Sequence, residues 1–306
     1  MSPLTVHTFV HIALLAILPP LLLGVIAKTK AILAGRVGAP VLQPYYDIAK
    51  LLRKGSVFSG TTSWIFRVSP VVGIVTAALA SLLVPFGDHA PPLSFAGDLV
   101  LFAYLFGLAR FFMVSAALDT GSPFEGMGGA REATFSVLAE PALFLGLLVL
   151  VRRSASLSLA GMLHTGMASG WRGAGAPLVL VLASMFIVLL AENCRVPFDD
   201  PNTHLELTMI HEVMVLDHGG PAFGMILYGA SLKLFALGAI VVRLALPFDT
   251  GNAWADWGLF VGGMLALAVL IGVVESVMAR LRMRQVPALL VAACLLSSFG
   301  IVLLAR

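Results

Sequence analysis

The sequence predicts an all-α, polytopic membrane protein with about eight transmembrane helices and additional amphipathic helices on the cytoplasmic side. The first observation is composition: 59% of the 306 residues are hydrophobic and only 11% are charged, whereas soluble domains carry about 25% charged residues. So few charges cannot cover a water-facing surface. The second observation is a series of long apolar runs, and the third is an uneven distribution of basic residues. We expect a single integral membrane domain over residues 1–306.

The apolar runs predict the spans, because a helix that crosses the hydrocarbon core needs about 20 apolar residues. The predicted spans are 4–27, 68–86, 99–118, 135–151, 176–191, 222–246, 255–275 and 286–305. The first lacks a basic n-region and a small-residue cleavage pattern, so we expect a retained span. Cys194 and Cys294 are far apart in sequence and predict neither a disulfide framework nor a cysteine metal site. No basic run indicates nucleic-acid binding.

The basic residues orient the spans. The connection 28–67 carries seven Lys and Arg residues, whereas 87–98 and 247–254 carry none. The positive-inside bias places 28–67 in the cytoplasm. Because successive connections alternate between the two sides of the membrane, the segments 119–134 and 192–221 are expected in the cytoplasm as well, and both termini are expected outside. The cytoplasmic side is therefore where a partner or a chemical event is expected.

The segment "VLQPYYDIAKLLRKGSV" at 41–57 has the periodicity of an amphipathic helix. Asp47, Lys50 and Arg53 lie on the face opposite its apolar stripe. Two alternatives remain open for this helix. It is an interfacial helix anchored by snorkelling cations, or a lid over a cavity that also holds a soluble partner.

The segment "DTGSPFEGMGGAREATFSVLAEP" at 119–141 contains three closely spaced glycines. A phosphate-binding loop needs a following Lys-Ser or Lys-Thr and a preceding strand, and neither is present. We therefore expect a flexible loop that leads into the fourth span.

The segment "AENCRVPFDDPNTHLELTMIHEVMVLDHGGP" at 191–221 is a polar island in an apolar chain. Pro197 and Pro201 interrupt the preceding helix, and Asn202 or Thr203 can cap a new one. A helix over about 203–217 is expected, ending at the Gly-Gly-Pro stop.

This island does not predict a metal site. Val215 stands where the HExxH motif needs its second histidine. His204, His211 and His218 are spaced by seven residues, about 10 Å per step along a helix, too far apart to share one ion. Surface or interface histidines are the expectation.

Several charges fall within the predicted spans. Arg110 and Lys233 lie near mid-span, and Glu140 lies about a turn and a half into the fourth span. A charge there costs at least about 2.5–3.5 kcal/mol on insertion scales, so these three need internal partners or water. The same requirement is weaker for three charges closer to the span ends, which are Glu192, Glu275 and Arg243. Arg243 is expected to snorkel to the outer interface.

Three segments carry a resemblance: "GRVGAPVLQPYYDIAKLLRKGSV" (35–57), "GAREATFSVLAEP" (129–141) and "AENCRVPFDDPNTHLELTMIHE" (191–212). In the same order they resemble the cytoplasmic segments of the complex I subunit 1 family of NADH-quinone oxidoreductases. The form "VPFDDPNTHLELTMIHEVMVLDH" (196–218) is more similar to the hydrogenase relatives, formate hydrogenlyase subunit 4 and hydrogenase-4 component C. Asn202, Thr203 and His204 replace an acid-rich run of complex I, which argues against quinone binding and favours the hydrogenase branch.

The resemblance implies an eight-span anchor in the cytoplasmic (inner) membrane of a prokaryote. Its implied partners are peripheral hydrogenase-type large and small subunits, an iron–sulfur subunit and antiporter-like membrane subunits. Iron–sulfur clusters and a nickel–iron centre belong to those partners, and no cofactor is expected in this chain. The implied acidic path into the membrane comprises Glu140, Glu192, Glu206 and Glu212. We include Arg110 and Lys233 in the predicted proton path because they are charged and lie near mid-span.

The resemblance also implies a docking loop for the peripheral arm that includes Asp199 and Asp200. We add Arg195, His204, Asp47 and Arg53 to the docking residues, because they lie on the same predicted face. Two alternative functions stay open from the sequence. The chain is a quinone-site subunit of a complex I-like oxidoreductase, or a stand-alone ion carrier, although no internal repeat typical of many carriers is visible.

Overall fold

A computed structural model gives the structure of residues 3–164, 167–199 and 209–305. The described helices are α1 (Pro3–Leu33), α2 (Gln43–Leu52), α3 (Trp64–Leu83), α4 (Asp98–Asp119), α5 (Pro123–Ser154), α6 (Leu159–His164), α7 (Met167–Glu192), α8 (Gly220–Ala245), α9 (Ala253–Val277) and α10 (Val286–Leu304). Within these residues eight helices, all except α2 and α6, are long and apolar enough to cross a membrane. This confirms the predicted all-α, eight-span fold class.

The largest difference from the predicted spans lies at the start of α5. The helix begins at Pro123 rather than at 135, with proline in its first turn, where the missing N–H costs nothing. The expected flexible loop is therefore wrong for 123–134. Gly128 is needed there because a side chain would meet Val213 and the carbonyl of Ile210. Close packing thus holds in helical form a glycine-rich run of low helix propensity.

The predicted helix over 203–217 is wrong in its described part. Residues 209–211 are not helical, and only a single 3-10 turn, Glu212–Val215, follows. The side chains of Val213, Met214 and Val215 are all buried. A surface α-helix leaves one face to solvent, whereas a short turn can bury three consecutive side chains. Residues 200–208, with the proposed caps Asn202 and Thr203, lie outside the described residues.

Helix α8 is the centre of the bundle. In the 18-residue apolar stretch of this helix, 72% of the residues are buried, against 28–44% in the corresponding stretches of the other seven spans. It packs against α1, α2, α3, α7 and α9. A charged side chain on this helix must therefore find its partner inside the protein, and Lys233 is such a residue.

The three segments expected in the cytoplasm meet on one side of the bundle. The carboxylate of Asp119 accepts from the backbone N–H of Ser63, and that of Glu125 accepts from the backbone N–H of Asp217, both within 2.9 Å. The imidazole of His218 stacks on Phe66 at a 3.9 Å centroid separation. Burial lowers the pKa of His218 from its ordinary value. Segments far apart in sequence therefore build one continuous face.

Candidate functional site

A cluster of charges occupies the interior of the bundle where α4, α5, α7 and α8 meet. Arg110 on α4 is the hub: its Nε contacts Glu132 at 3.2 Å, one terminal nitrogen contacts Glu140, and the other contacts Glu192 at 2.6 Å. Lys233 on α8 contacts the same Glu192 carboxylate at 2.7 Å. We call these five residues the central cluster. The structure thus brings together four of the six residues predicted for the path.

The central cluster is graded in its exposure. The side chain of Glu192 is 5% exposed and that of Arg110 is 11% exposed, whereas that of Glu140 is 47% exposed. The cluster holds two cations and three carboxylates, so with all five groups ionised it carries one excess negative charge. In a low-dielectric interior such an excess favours the binding of a proton or of another cation.

The chain turns sharply beside this cluster. The N–H of Arg195 donates to the carbonyl of Leu190, and that of Cys194 donates to the carbonyl of Ala191. This is the Schellman pattern that ends helices, and Cys194 takes the left-handed position with φ of 49°. Glycine is the usual residue at that position because a side chain costs about 1–2 kcal/mol there. Burial, followed by the negative charge of Glu132, raises the pKa of the Cys194 thiol well above its ordinary value.

A second cluster lies nearer the face that carries α2. Glu275 on α9 has a fully buried side chain, which is paired with Lys30 at 2.8 Å and with Arg195 at 3.4 Å. Lys30 extends from the last turn of α1. The predicted docking residue Arg195 therefore lies between the membrane helices rather than on an open surface, with a side chain that is 14% exposed.

Asp199 also lies inside. It is 1% exposed, pairs with Arg280 at 2.8 Å, and accepts from the backbone N–H groups of Ile210 and His211. The carboxylate holds the turn around 209–211, whereas the sequence predicts an exposed docking side chain. The docking role of Asp199 stays a prediction. Burial with three donors is the arrangement that makes a carboxylate structural.

The remaining predicted docking residues divide into two groups. Asp47 on α2 and Arg53 just after it are exposed. Asp200, His204 and the predicted path residue Glu206 lie outside the described residues. Glu212, predicted for the path, begins the 3-10 turn and does not join the central cluster.

Three cavities connect these groups. The α2 cavity, about 350 Å³, lies between α1, α2 and α9. Its polar lining is Lys30, Asp47, Asn193, Cys194, Arg195, Asp199, His211, Glu212 and Glu275. The central cavity, about 100 Å³, shares Cys194 and His211 with it and reaches Arg110 and Lys233. The lateral cavity, about 340 Å³, shares Arg110 and Glu192 with the central cavity and reaches Glu140. The three cavities are thus adjacent, with ionisable groups in the lining of each, from α2 to the side of the bundle.

Helix α2 covers the first of these cavities. Pro44, Asp47 and Ile48 line it, and no residue of the helix is buried. Among the two alternatives for this segment, the arrangement agrees with a lid. The predicted amphipathic helix is confirmed, although it is shorter than the 41–57 pattern.

Arg243 does not snorkel, which corrects the sequence expectation. It is 3% exposed, pairs with Asp88, and donates at 2.9 Å to the carbonyls of Leu163 and Phe248. Its partners come from three connections on the predicted outer side, and their spatial convergence leaves no sequence signal.

Sequence reasoning missed Glu132, Cys194 and His211, whose donor atoms all lie within 4.8 Å of one another. A signal existed for Glu132. It precedes Glu140 by eight residues, which puts both carboxylates on one helix face. The apolar run, however, predicts a span that starts only at 135. Cys194 and His211 come from different segments and had no such signal.

Comparison with known proteins agrees with this architecture. The NADH dehydrogenase family matches residues 5–306. Formate hydrogenlyase subunit 4 of Escherichia coli is 34% identical over 281 residues, covering 88% of each chain. Hydrogenase-4 component C of the same organism is 31% identical over 245 residues, covering 80% of this chain and 76% of the relative. An NADH-quinone oxidoreductase subunit of Syntrophotalea carbinolica is 28% identical over 269 residues, covering 83% of this chain and 78% of the relative.

A solved structure shows the same fold. A chain of the membrane-bound sulfane sulfur reductase, described as an archaeal respiratory membrane complex, superposes with a TM-score of 0.84 at 21% identity, covering 98% of this chain and 99% of that one. The family match over nearly the whole sequence and the two relatives above 30% identity confirm the resemblance carried by the polar segments. The chain belongs to the NADH dehydrogenase family.

Proposed function

We propose that this chain is the membrane anchor and coupling subunit of a hydrogenase-type complex, which docks a peripheral redox arm and links its electron transfer to proton movement. The observation that carries the proposal is the series of three adjacent cavities, each with ionisable groups in its lining, from beneath α2 to Glu140. It joins a face with exposed charges to ionisable groups inside the membrane domain. A purely structural anchor has no need of such a series.

The docking part rests on the face that carries α2. Asp47 and Arg53 are exposed there, and Tyr46 and Leu52 of the same helix are 59% and 53% exposed. Mixed aromatic and charged surface of this kind suits a polar-rimmed protein interface. Asp199 supports the face from within by fixing the turn at 209–211.

The coupling part rests on the central cluster. Glu192 lies between Arg110 and Lys233, each within 2.7 Å. Glu140, in contrast, has only Arg110 within ion-pair distance among the described residues, and its side chain is half-exposed and lines the lateral cavity. The excess negative charge of the cluster is most easily relieved at Glu140, where no second cation competes. We therefore assign Glu140 as the group that takes up and releases a proton, passing it toward an antiporter-like neighbour.

The hydrogenase branch is favoured over a quinone-reducing one by two observations. Asn202, Thr203 and His204 stand in the sequence where complex I has an acid-rich run. Arg110 and Lys233, which could bind a quinone oxygen, are both engaged with carboxylates. The iron–sulfur clusters and the nickel–iron centre are assigned to the partner subunits.

Purification from native membranes in mild detergent tests the proposed complex. We expect the chain to co-purify with brown iron–sulfur subunits and with nickel detectable by elemental analysis. Brown subunits without nickel, together with bound quinone, indicate the quinone-reducing alternative. A colourless preparation that contains this chain alone and transports ions in vesicles contradicts the proposal and indicates the carrier.

Replacement of Arg53 by glutamate tests the docking face. Reversing an exposed interface charge changes mainly the association rate and the salt dependence of binding, so we expect the peripheral arm to dissociate at lower salt than in the wild-type complex. The measurement is the amount of arm retained on immobilised membrane subunit across a salt series. Arg172→Glu, which changes an exposed arginine near the start of α7, is the matched control. Equal retention in both variants contradicts the assignment of this face.

A further inference from the structure

We propose that Glu132, Cys194 and His211 form a binding site for a divalent metal ion of the zinc class, with a fourth position open to the central cavity. The carboxylate, thiol and imidazole donor atoms lie within 4.8 Å of one another. Thiolate, imidazole and carboxylate are the three side-chain donors that zinc uses. Bonds of about 2.0–2.3 Å put tetrahedral ligand atoms about 3.5 Å apart, a convergence that rotation about the side-chain bonds can supply.

Each donor is available for coordination. Arg110 contacts Glu132 through Oε1, so Oε2 can bind a cation while that ion pair persists. Among the described residues, neither ring nitrogen of His211 and no hydrogen on the Cys194 sulfur has a hydrogen-bond partner. Imidazole and thiol groups aimed into a cavity without such partners are unusual inside a protein.

Three separate elements hold the donors in place. Glu132 lies on α5, Cys194 occupies the turn that ends α7, and His211 precedes the 3-10 turn. The backbone of His211 is fixed by Asp199, which accepts from its N–H at 3.4 Å. A site assembled from three fixed elements is preorganised, which lowers the cost of gathering the ligands.

The charge of the surroundings favours an added cation. The central cluster, which includes Glu132, carries one excess negative charge. A divalent ion bound by a thiolate brings one net positive charge, so the occupied site with its surroundings is neutral. A proton on one carboxylate achieves the same neutrality, and metal and proton therefore compete for this site. The cavity of about 100 Å³ holds a water as fourth ligand, since one water occupies about 30 Å³ of liquid.

The site is reachable from the α2 side. Cys194 and His211 line both the α2 cavity and the central cavity, so an ion that enters beneath α2 meets these two donors before it meets Arg110. The proposal concerns binding by this chain and stands independently of whether the complex moves protons.

Cobalt titration of the purified full-length chain tests the proposal. We expect one equivalent of Co²⁺ to produce the near-ultraviolet charge-transfer absorption of a cobalt–thiolate bond, and Zn²⁺ to displace it. Cys194→Ser abolishes the band, and Cys294→Ser, the matched control for the other cysteine, retains it. His211→Gln and Glu132→Gln are each expected to weaken cobalt binding by more than about tenfold. Losing a residue that only hydrogen-bonds a metal ligand already lowers the metal affinity by about that factor, and these two residues are themselves ligands. Absence of the band in the wild type, or its persistence in Cys194→Ser, overturns the proposal.

A second measurement needs no variant. Zn²⁺ is expected to slow alkylation of Cys194 in the wild-type chain, because the sulfur that binds the metal is also the nucleophile. Alkylation of Cys294 is expected to be unchanged, and peptide mass spectrometry follows both rates. Equal slowing at both cysteines indicates a general effect of zinc on the protein and contradicts the site. So does an unchanged rate at Cys194.

Discussion

Replacement of Arg110 by glutamine is expected to destabilise the protein by about 3–5 kcal/mol, the range for removing one partner of a buried ion pair. The guanidinium contacts three carboxylates and is 11% exposed. Its loss leaves Glu132, Glu140 and Glu192 with Lys233 as the single nearby cation of the cluster. The measurement is the thermal midpoint of the purified chain in detergent, together with the amount of chain recovered from the membrane.

The control for Arg110 is Arg172→Gln, because Arg172 is exposed near the start of α7. A second variant isolates the electrostatic cause. Arg110→Gln combined with Glu132→Gln removes one cation and one carboxylate, keeps the Lys233–Glu192 pair, and should recover part of the lost stability. A single variant as stable as the wild type shows that Arg110 is not the hub of the cluster. A double variant less stable than the single one shows that lost packing, rather than unpaired charge, causes the effect.

Replacement of Glu140 by glutamine is expected to preserve assembly while proton movement coupled to turnover falls severalfold or more. Glutamine keeps the shape and can still accept from Arg110, but it cannot bind and release a proton. Because the Glu140 side chain is 47% exposed, its contribution to folding is small compared with that of Arg110. The measurement is proton movement per turnover by the whole complex in membrane vesicles.

Asp249→Asn is the matched control for Glu140→Gln, since Asp249 is an exposed carboxylate in the connection after α8. The structural alternative makes a different prediction. If Glu140 only neutralises Arg110, Glu140→Gln lowers the thermal midpoint and the yield, and the molecules that assemble remain fully coupled. A stable, assembled variant with undiminished proton movement removes Glu140 from the path.

The α5 helix shows where sequence reasoning stopped. Its apolar half predicted a span from 135, because hydrophobic periodicity is the strongest local signal. The glycine-rich half before it has weak helix propensity, which predicts a loop. Packing against the 3-10 turn, for which Gly128 makes room, stabilises this half of the helix. The eight-residue spacing of Glu132 and Glu140 became visible only with the full helix.

Asp199 shows a different limit. A short, proline-bounded loop with two aspartates predicts polar surface, and its resemblance to a docking loop favours the same interpretation. The side chain nevertheless turns inward, because Arg280 and two backbone N–H groups from later in the chain offer it three donors. Whether a charged residue faces a partner or its own fold depends on contacts that are distant in sequence.

The sequence by itself determined the membrane class, the eight spans, the face that collects polar segments and the family, because each depends on composition, local periodicity or a contiguous motif. It also identified Arg110, Glu140, Glu192 and Lys233 as charges that need internal partners, since the cost of burying a charge is independent of the fold. Only the tertiary structure decided which partners they have. It joined α4, α5 and α7 at Arg110 and added α8 through the Lys233–Glu192 pair. It also turned Cys194 toward His211 and enclosed Arg243. These contacts form between segments whose spacing along the chain carries no information about their distance in space.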